Sequence, residues 1–147
     1  MTAKSTLPSV GVVVPTRDRP ELVRLTLKAI AEQDYAGRIE VVVVHDQVAL
    51  DHGLEERGPR PVRVCANSRT AGLAGARNTG ILSLDTEFVA FCDDDDIWLP
   101  GKLGAQVSRL MSEPDAEMCT CAIVVAYDGH RTTRLAHLEQ VQHEDLV

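Results

Sequence analysis

Two runs of valine limit the folds open to this chain. Val10-Gly11-Val12-Val13-Val14 and Ile39-Glu40-Val41-Val42-Val43-Val44 carry almost no polar residue. Neither alternates apolar with polar positions, as a strand with one wet face must. Unbroken β-branched runs suit strands buried on both faces, the condition of a parallel sheet covered by helices. The first strand is expected to stop at Pro15. Between the runs, Val23, Leu27 and Ile30 recur at helical spacing, with Leu22, Leu25 and Ala29 widening the stripe. Asp18 and Glu21 are spaced as a capping box, and Pro20 falls in the first turn. Strand, amphipathic helix, strand is the βαβ unit.

The alternation continues. A polar stretch, 48–60, reads as loop or short irregular helix, and a brief third strand, expected to be parallel, covers 61–65. Residues 71–82 have helical spacing in their later part but hold Gly72, Gly75 and Gly80. Interior glycine costs a helix roughly 1 kcal/mol relative to alanine, so a close backbone approach is implied. The fourth strand covers 88–92. Pro100 opens a further helix with Leu103, Val107 and Leu110 on its buried face. A fifth strand spans about 118–127, and Asp128-Gly129 turns into a short antiparallel strand. Cys119 and Cys121 would share one face of that fifth strand as core residues. The expected class is α/β, a mostly parallel sheet flanked by helices. Residues 1–9 form an N-terminal tail, 10–136 the domain and 137–147 a polar tail.

Composition narrows the function. The 147 residues are 44% hydrophobic and 25% charged, which supports one globular core and excludes disorder or coiled coil. Net charge is −7, which argues against nucleic acid or an anionic membrane as partner. An anionic ligand would need a cation as intermediary. No apolar stretch approaches the ~20 residues of a membrane span, and the first six residues lack a secretory apolar segment, so a cytoplasmic protein without a transmembrane segment is expected. Cys65, Cys92, Cys119 and Cys121 form no CxxC pair and are expected as reduced buried thiols.

Asp93-Asp94-Asp95-Asp96 follows the fourth strand directly and precedes Ile97-Trp98-Leu99. At ~4–5 Å and an effective dielectric of ~20, each adjacent pair repels by about 3–4 kcal/mol. Protons or a cation must compensate. Clustered oxygens suit Mg²⁺ or Mn²⁺, ions that also take phosphate oxygens. A charge run is ordinarily a solvated turn; this one stands at the carboxyl end of a buried strand, where open α/β sheets bind ligands. An EF-hand fails, because loop position 6 would be Trp98 and position 12 is not glutamate.

Three more features fall on the same edge: Pro15-Thr16-Arg17-Asp18 after the first strand, Asp46 after the second, and Gly72 to Asn78 entering a helix after the third. Helix N-termini with glycine and a nearby arginine favour phosphate. Asp46 could accept hydrogen bonds from a base or ribose, and together these clusters would line one crevice. GxGxxG after the first strand and GxxxxGK[ST] anywhere are both absent. A phospho-receiver domain would carry its acidic pair after the first strand, not the fourth.

Val12-Val13-Val14-Pro15-Thr16-Arg17-Asp18-Arg19-Pro20, Val41-Val42-Val43-Val44-His45-Asp46, Ala76-Arg77-Asn78-Thr79-Gly80-Ile81 and Phe91-Cys92-Asp93-Asp94-Asp95-Asp96-Ile97-Trp98-Leu99-Pro100 resemble, in order and spacing, the motifs of the family 2 glycosyltransferases. The resemblance spans roughly residues 10–111. It implies the Rossmann-like nucleotide-binding half of a GT-A fold, a UDP- or dTDP-sugar donor, Mn²⁺ or Mg²⁺, and inverting transfer to an acceptor it does not identify. By motif match, Asp93-x-Asp95 is the DxD element, with Asp95 on the metal, Asp93 toward ribose or metal, and Asp94 beside them in the nucleotide-sugar site. Asp46 matches the base-pairing carboxylate, Pro15, Thr16 and Arg17 the strand end lining the nucleotide, and Arg77 a position near the donor. The family commonly has paired aspartates then a small residue where this chain has His45-Asp46-Gln47, which alters the base contacts. Family members usually continue further and there supply the acceptor site and general base. The expectation is therefore a donor-binding part lacking its acceptor portion, with no general base to nominate; Glu139, Glu144 and Asp145 lie in the tail. The alternative is a non-catalytic nucleotide- or metal-binding module completed by another chain. An exposed sheet edge makes a homodimer an expected partner.

Overall fold

The valine runs become the two central strands of a four-stranded, all-parallel sheet in the order β3-β2-β1-β4. Here β1 is Val10–Thr16, β2 Ile39–His45, β3 Val62–Ala66 and β4 Phe88–Phe91. The computed structural model describes residues 7–135 and 140–142, and these fall into two compact units that divide between Gly104 and Ala105. Most of both tails, including Glu139, Glu144 and Asp145, lies outside the described residues. Among the described residues no helix is long and apolar enough to cross a membrane.

Every residue of β1 is buried, as its lack of polar positions requires. Its register sets Val10 beside both Ile39 and Phe88, and Val12 beside Val41 and Ala90. The strand does not stop at Pro15 but runs through it to Thr16. Thr16 O accepts from Asp46 N on the β2 side, and Val13 O accepts from Cys92 N on the β4 side. Alternate residues thus face alternate neighbours, and Pro15 turns its missing N–H toward β4, past the last β4 residue. A proline there leaves no ladder bond unmade.

Helix α1, Pro20–Ala31, starts with Pro20 as expected, but without the capping box. Asp18 adopts a left-handed φ of 53° and Arg19 occupies the N-cap position with no side-chain cap bond. The buried face is Val23, Thr26, Ala29 and Ile30. Leu22 and Leu25 sit one position round from it and are exposed at 42% and 54%, so they do not widen the stripe. Helix α2, Leu73–Leu82, explains the glycines. A Cβ on Gly80 would lie 2.3 Å from Val13 Cγ1, and one on Gly75 would lie 1.7 Å from Thr70 O. The helix is therefore pressed against the Val13 side chain of the central strand and against the backbone of the preceding loop.

Helix α3, Lys102–Ser112, buries Leu103 and Val107, with Leu110 half-buried. In the second unit, β5, Ile123–Tyr127, pairs antiparallel with β6, His130–Arg134. Asp128 and Gly129 both have positive φ, the tight-hairpin conformation. The strand starts at Ile123, not near 118, and every residue of both strands is exposed. Cys119 and Cys121 precede it; Cys119 is half-buried and Cys121 exposed, so they are not a paired core face. Nor is Cys65 fully buried. Cys92 is, and burial pushes its thiol up to about 12.

Candidate functional site

The carboxyl edge of the sheet gathers the residues expected there, in two differently built groups. At the β2 end, Asp46 is buried, and its carboxylate accepts from Asn67 Nδ2 at 2.8 Å, Gly72 N at 3.0 Å and Gln47 Nε2 at 3.4 Å. The Asn67 amide, then the Gly72 N–H, hold its pKa below the ordinary 3.8, and the charge of exposed Arg17 adds to this. Asn67 Oδ1 in turn accepts from Thr79 Oγ1 at 2.9 Å and Arg69 N at 2.9 Å. One network thus ties the end of β2, the 67–72 loop and α2 together. His45 is buried beside it, and desolvation pushes its pKa below 6.5. Asp46, His45, Gln47, Ala66, Asn67 and Arg69 line most of a groove of about 300 Å³. Asp46 therefore acts first as a fastener of this groove.

At the β4 end, four carboxylates leave the strand in a turn closed by Asp96 N donating to Asp93 O at 3.1 Å. Two arginines supply the compensation that their repulsion demands. Arg77 Nη2 donates to Asp93 Oδ1 at 2.7 Å, with its guanidinium 5.6 Å from the Phe91 ring centroid. Its buried Nε has no hydrogen-bond partner. Arg19 Nη1 lies 3.0 Å from Asp94 Oδ1 and 2.9 Å from Asp95 Oδ2. Asp94 is buried and also accepts from Thr16 Oγ1 at 2.7 Å, a short charge-assisted bond. Thr26 shares its hydroxyl proton between Asp94 O at 3.0 Å and Asp96 O at 2.9 Å, fastening the turn to α1. Desolvation, then the charges of Asp93 and Asp95, raises the Asp96 pKa. Of the apolar residues that follow, Trp98 is buried whereas Ile97 and Leu99 are exposed.

The structure thus gathers Thr16, Arg77, Asp93, Asp94 and Asp95 around the β4 end and Asp46 at the β2 end, with Pro15 buried behind Thr16. Arg19, Thr26, Asn67 and Thr79 are site residues that the sequence reading did not single out. Arg19 and Thr79 lie inside two of the motif segments, and Asn67 directly follows a strand. Thr26, on an otherwise apolar helix face, gave the clearest overlooked signal.

Among the described residues no three His, Cys, Asp or Glu side chains converge to enclose a metal ion. The Asp93 and Asp95 side chains are 44% and 50% exposed, and each of their ion pairs uses one oxygen. Mg²⁺ and Mn²⁺ are commonly held by one or two carboxylates with substrate phosphates and water completing the shell. The donor set fits an open site of that kind.

The family model for glycosyl transferase family 2 matches residues 11–145. The chain belongs to this family. Its sheet and flanking helices are those of GT-A glycosyltransferases. The UDP-Glc:alpha-D-GlcNAc-diphosphoundecaprenol beta-1,3-glucosyltransferase WfgD of Escherichia coli is 28% identical over 104 residues, 69% of this chain and 41% of that protein. The mannosyltransferase PcManGT of Pyrobaculum calidifontis, solved in complex with GDP-Man and Mn²⁺, superposes with a TM-score of 0.59 at 28% identity, covering 72% of this chain and 33% of that one. S. aureus TarS 1-349 in complex with UDP-GlcNAc gives 0.62 at 26% identity, with 72% and 32% covered. This glycosyl transferase family 2 chain therefore spans less than half the length of these relatives.

Proposed function

We propose that this chain is the donor-binding portion of an inverting glycosyltransferase, taking a nucleoside-diphosphate sugar at the carboxyl edge of its sheet. The observation that carries the reading is the convergence of β1, α1 and α2 on the acidic turn after β4, through Thr16, Arg19 and Arg77. We assign the groove beside Asp46 to the base and ribose, with the Asp46 network holding its wall. Arg77 lies where its guanidinium can turn from Asp93 to a phosphate, since that pair is partly exposed on both sides. Asp93 and Asp95 would hold Mn²⁺ or Mg²⁺, which when bound neutralises the diphosphate and the charge developing on the leaving group. Asp94, buried and doubly held, fixes the turn between them. The UDP-GlcNAc and GDP-Man complexes of the relatives support a nucleotide-sugar donor, and we assign UDP- or dTDP-sugars as the donor class.

Calorimetric titration with UDP, dTDP and GDP, with and without Mn²⁺, tests the reading. Binding that requires Mn²⁺ and is lost in Asp95→Ala is expected. Metal-independent binding, or binding unchanged in Asp95→Ala, would refute it.

A further inference from the structure

Arg19 Nη1 serves two carboxylates that differ in kind. The Asp94 side chain is 8% exposed and has the Thr16 hydroxyl as a second donor, whereas those of Asp95 and Arg19 are about half exposed. A contact exposed at both ends is weak and readily exchanged. A buried carboxylate gives up its charged donor only at large cost. Arg19 is placed for such an exchange. It occupies the N-cap of α1, between left-handed Asp18 and Pro20, so its backbone is set while its long side chain can swing. Both contacts use Nη1, leaving the other face of the guanidinium fork for phosphate oxygens.

We propose that Arg19 is the built-in counter-cation of the donor site: it neutralises Asp95 while the crevice is empty, keeps Asp94 as its anchor, and gives Asp95 up when the diphosphate of the donor offers it new acceptors. The inference rests on the reading of Asp95 as a metal ligand. Its consequence is a linkage between two ligands. With Arg19 on Asp95, the empty crevice has low metal affinity, and the diphosphate raises that affinity by drawing Arg19 away.

Mn²⁺ titration followed by electron paramagnetic resonance, without nucleotide, reads this directly. Arg19→Gln should bind Mn²⁺ about fivefold more tightly than the unsubstituted chain, the scale of an exposed ion pair. Arg24→Gln removes a charge from the same helix where it pairs with Asp51 and should change nothing. No tightening in Arg19→Gln, or equal tightening in Arg24→Gln, overturns the inference. If Asp95→Asn loses Mn²⁺ while Arg19→Gln matches the unsubstituted chain, the inference alone falls; if Asp95→Asn binds Mn²⁺ unchanged, the metal-ligand reading falls with it. Should Arg19→Gln not fold, the unsubstituted protein still decides: the Arg19 Nε–Hε resonance should shift when Mg²⁺ and UDP are added together, and an unmoved resonance overturns the proposal.

Discussion

The two ends of the crevice bind their carboxylates by different chemistry. Asp46 is held by an asparagine amide and a backbone N–H, neutral donors that are themselves fastened to a loop and a helix. Asp93 and Asp95 are held by arginines that reach in from neighbouring segments and remain partly exposed. Neutral donors locked in a network make a fixed wall. Partly exposed ion pairs on partly exposed carboxylates are weak contacts that another cation can compete for. The difference fits a scaffold at the β2 end and the cation exchange proposed for the β4 end.

The strongest way to break the fixed wall is at Gly75, where a Cβ would meet Thr70 O at 1.7 Å. Gly75→Ala should cost about 3 kcal/mol by urea denaturation, because backbone must move to make room. Gly101→Ala, with nothing within 4 Å of its Cβ, should stay within ~0.5 kcal/mol of the parent. A neutral Gly75→Ala would show that loop and helix are not pressed together.

Asp46→Asn and Asp95→Asn separate the two ends next. Asp46→Asn turns an amide toward donors that need an acceptor, so its melting temperature should fall. Asp95→Asn should melt near the parent yet lose at least about tenfold in Mn²⁺ affinity. Equal thermal effects in the two variants would erase the distinction.

The fixed end also has a pH signature. Asp46 has a folded pKa below 3.8, so its contribution is complete above that pH and is lost as pH falls through the folded value. His45 has a folded pKa below 6.5; the unfolded chain takes up that proton first, and stability declines as pH drops below 6.5. Unfolding measured against pH should show both slopes, and His45→Gln should remove the upper one. A slope below 6.5 that survives His45→Gln would contradict the assignment.

The smallest effect concerns thiols. Exposed Cys121 should react fastest with a thiol reagent and buried Cys92 last. Fast labelling of Cys92 in the folded protein would show that the sheet edge opens.

What could be read from the amino acids alone followed burial. Val10 to Val14 and Val41 to Val44 left no choice but central strands, and four aspartates after Cys92 pointed to the carboxyl edge. Pro15 misled, because its effect depends on which neighbour its nitrogen faces, a property of sheet order. Leu22 and Leu25 misled because hydrophobicity does not say which side of a helix meets the sheet, whereas Thr26 is buried by its two carbonyl acceptors. The aspartates demanded a cation, but only the fold could show that Arg19 and Arg77 already stand there. In the hairpin, Ile123, Val124 and Val125 carry strand propensity without burial, so apolar pattern there overstated the core.

A crystal of this chain grown with Mn²⁺ and UDP, measured for anomalous scattering at the manganese edge, tests the central claim most directly. The account predicts an anomalous peak within coordination distance of an Asp95 carboxylate oxygen, with UDP beside Asp46 and Arg19 withdrawn from Asp95. Manganese and UDP bound elsewhere, or bound here with Arg19 still on Asp95, would contradict it.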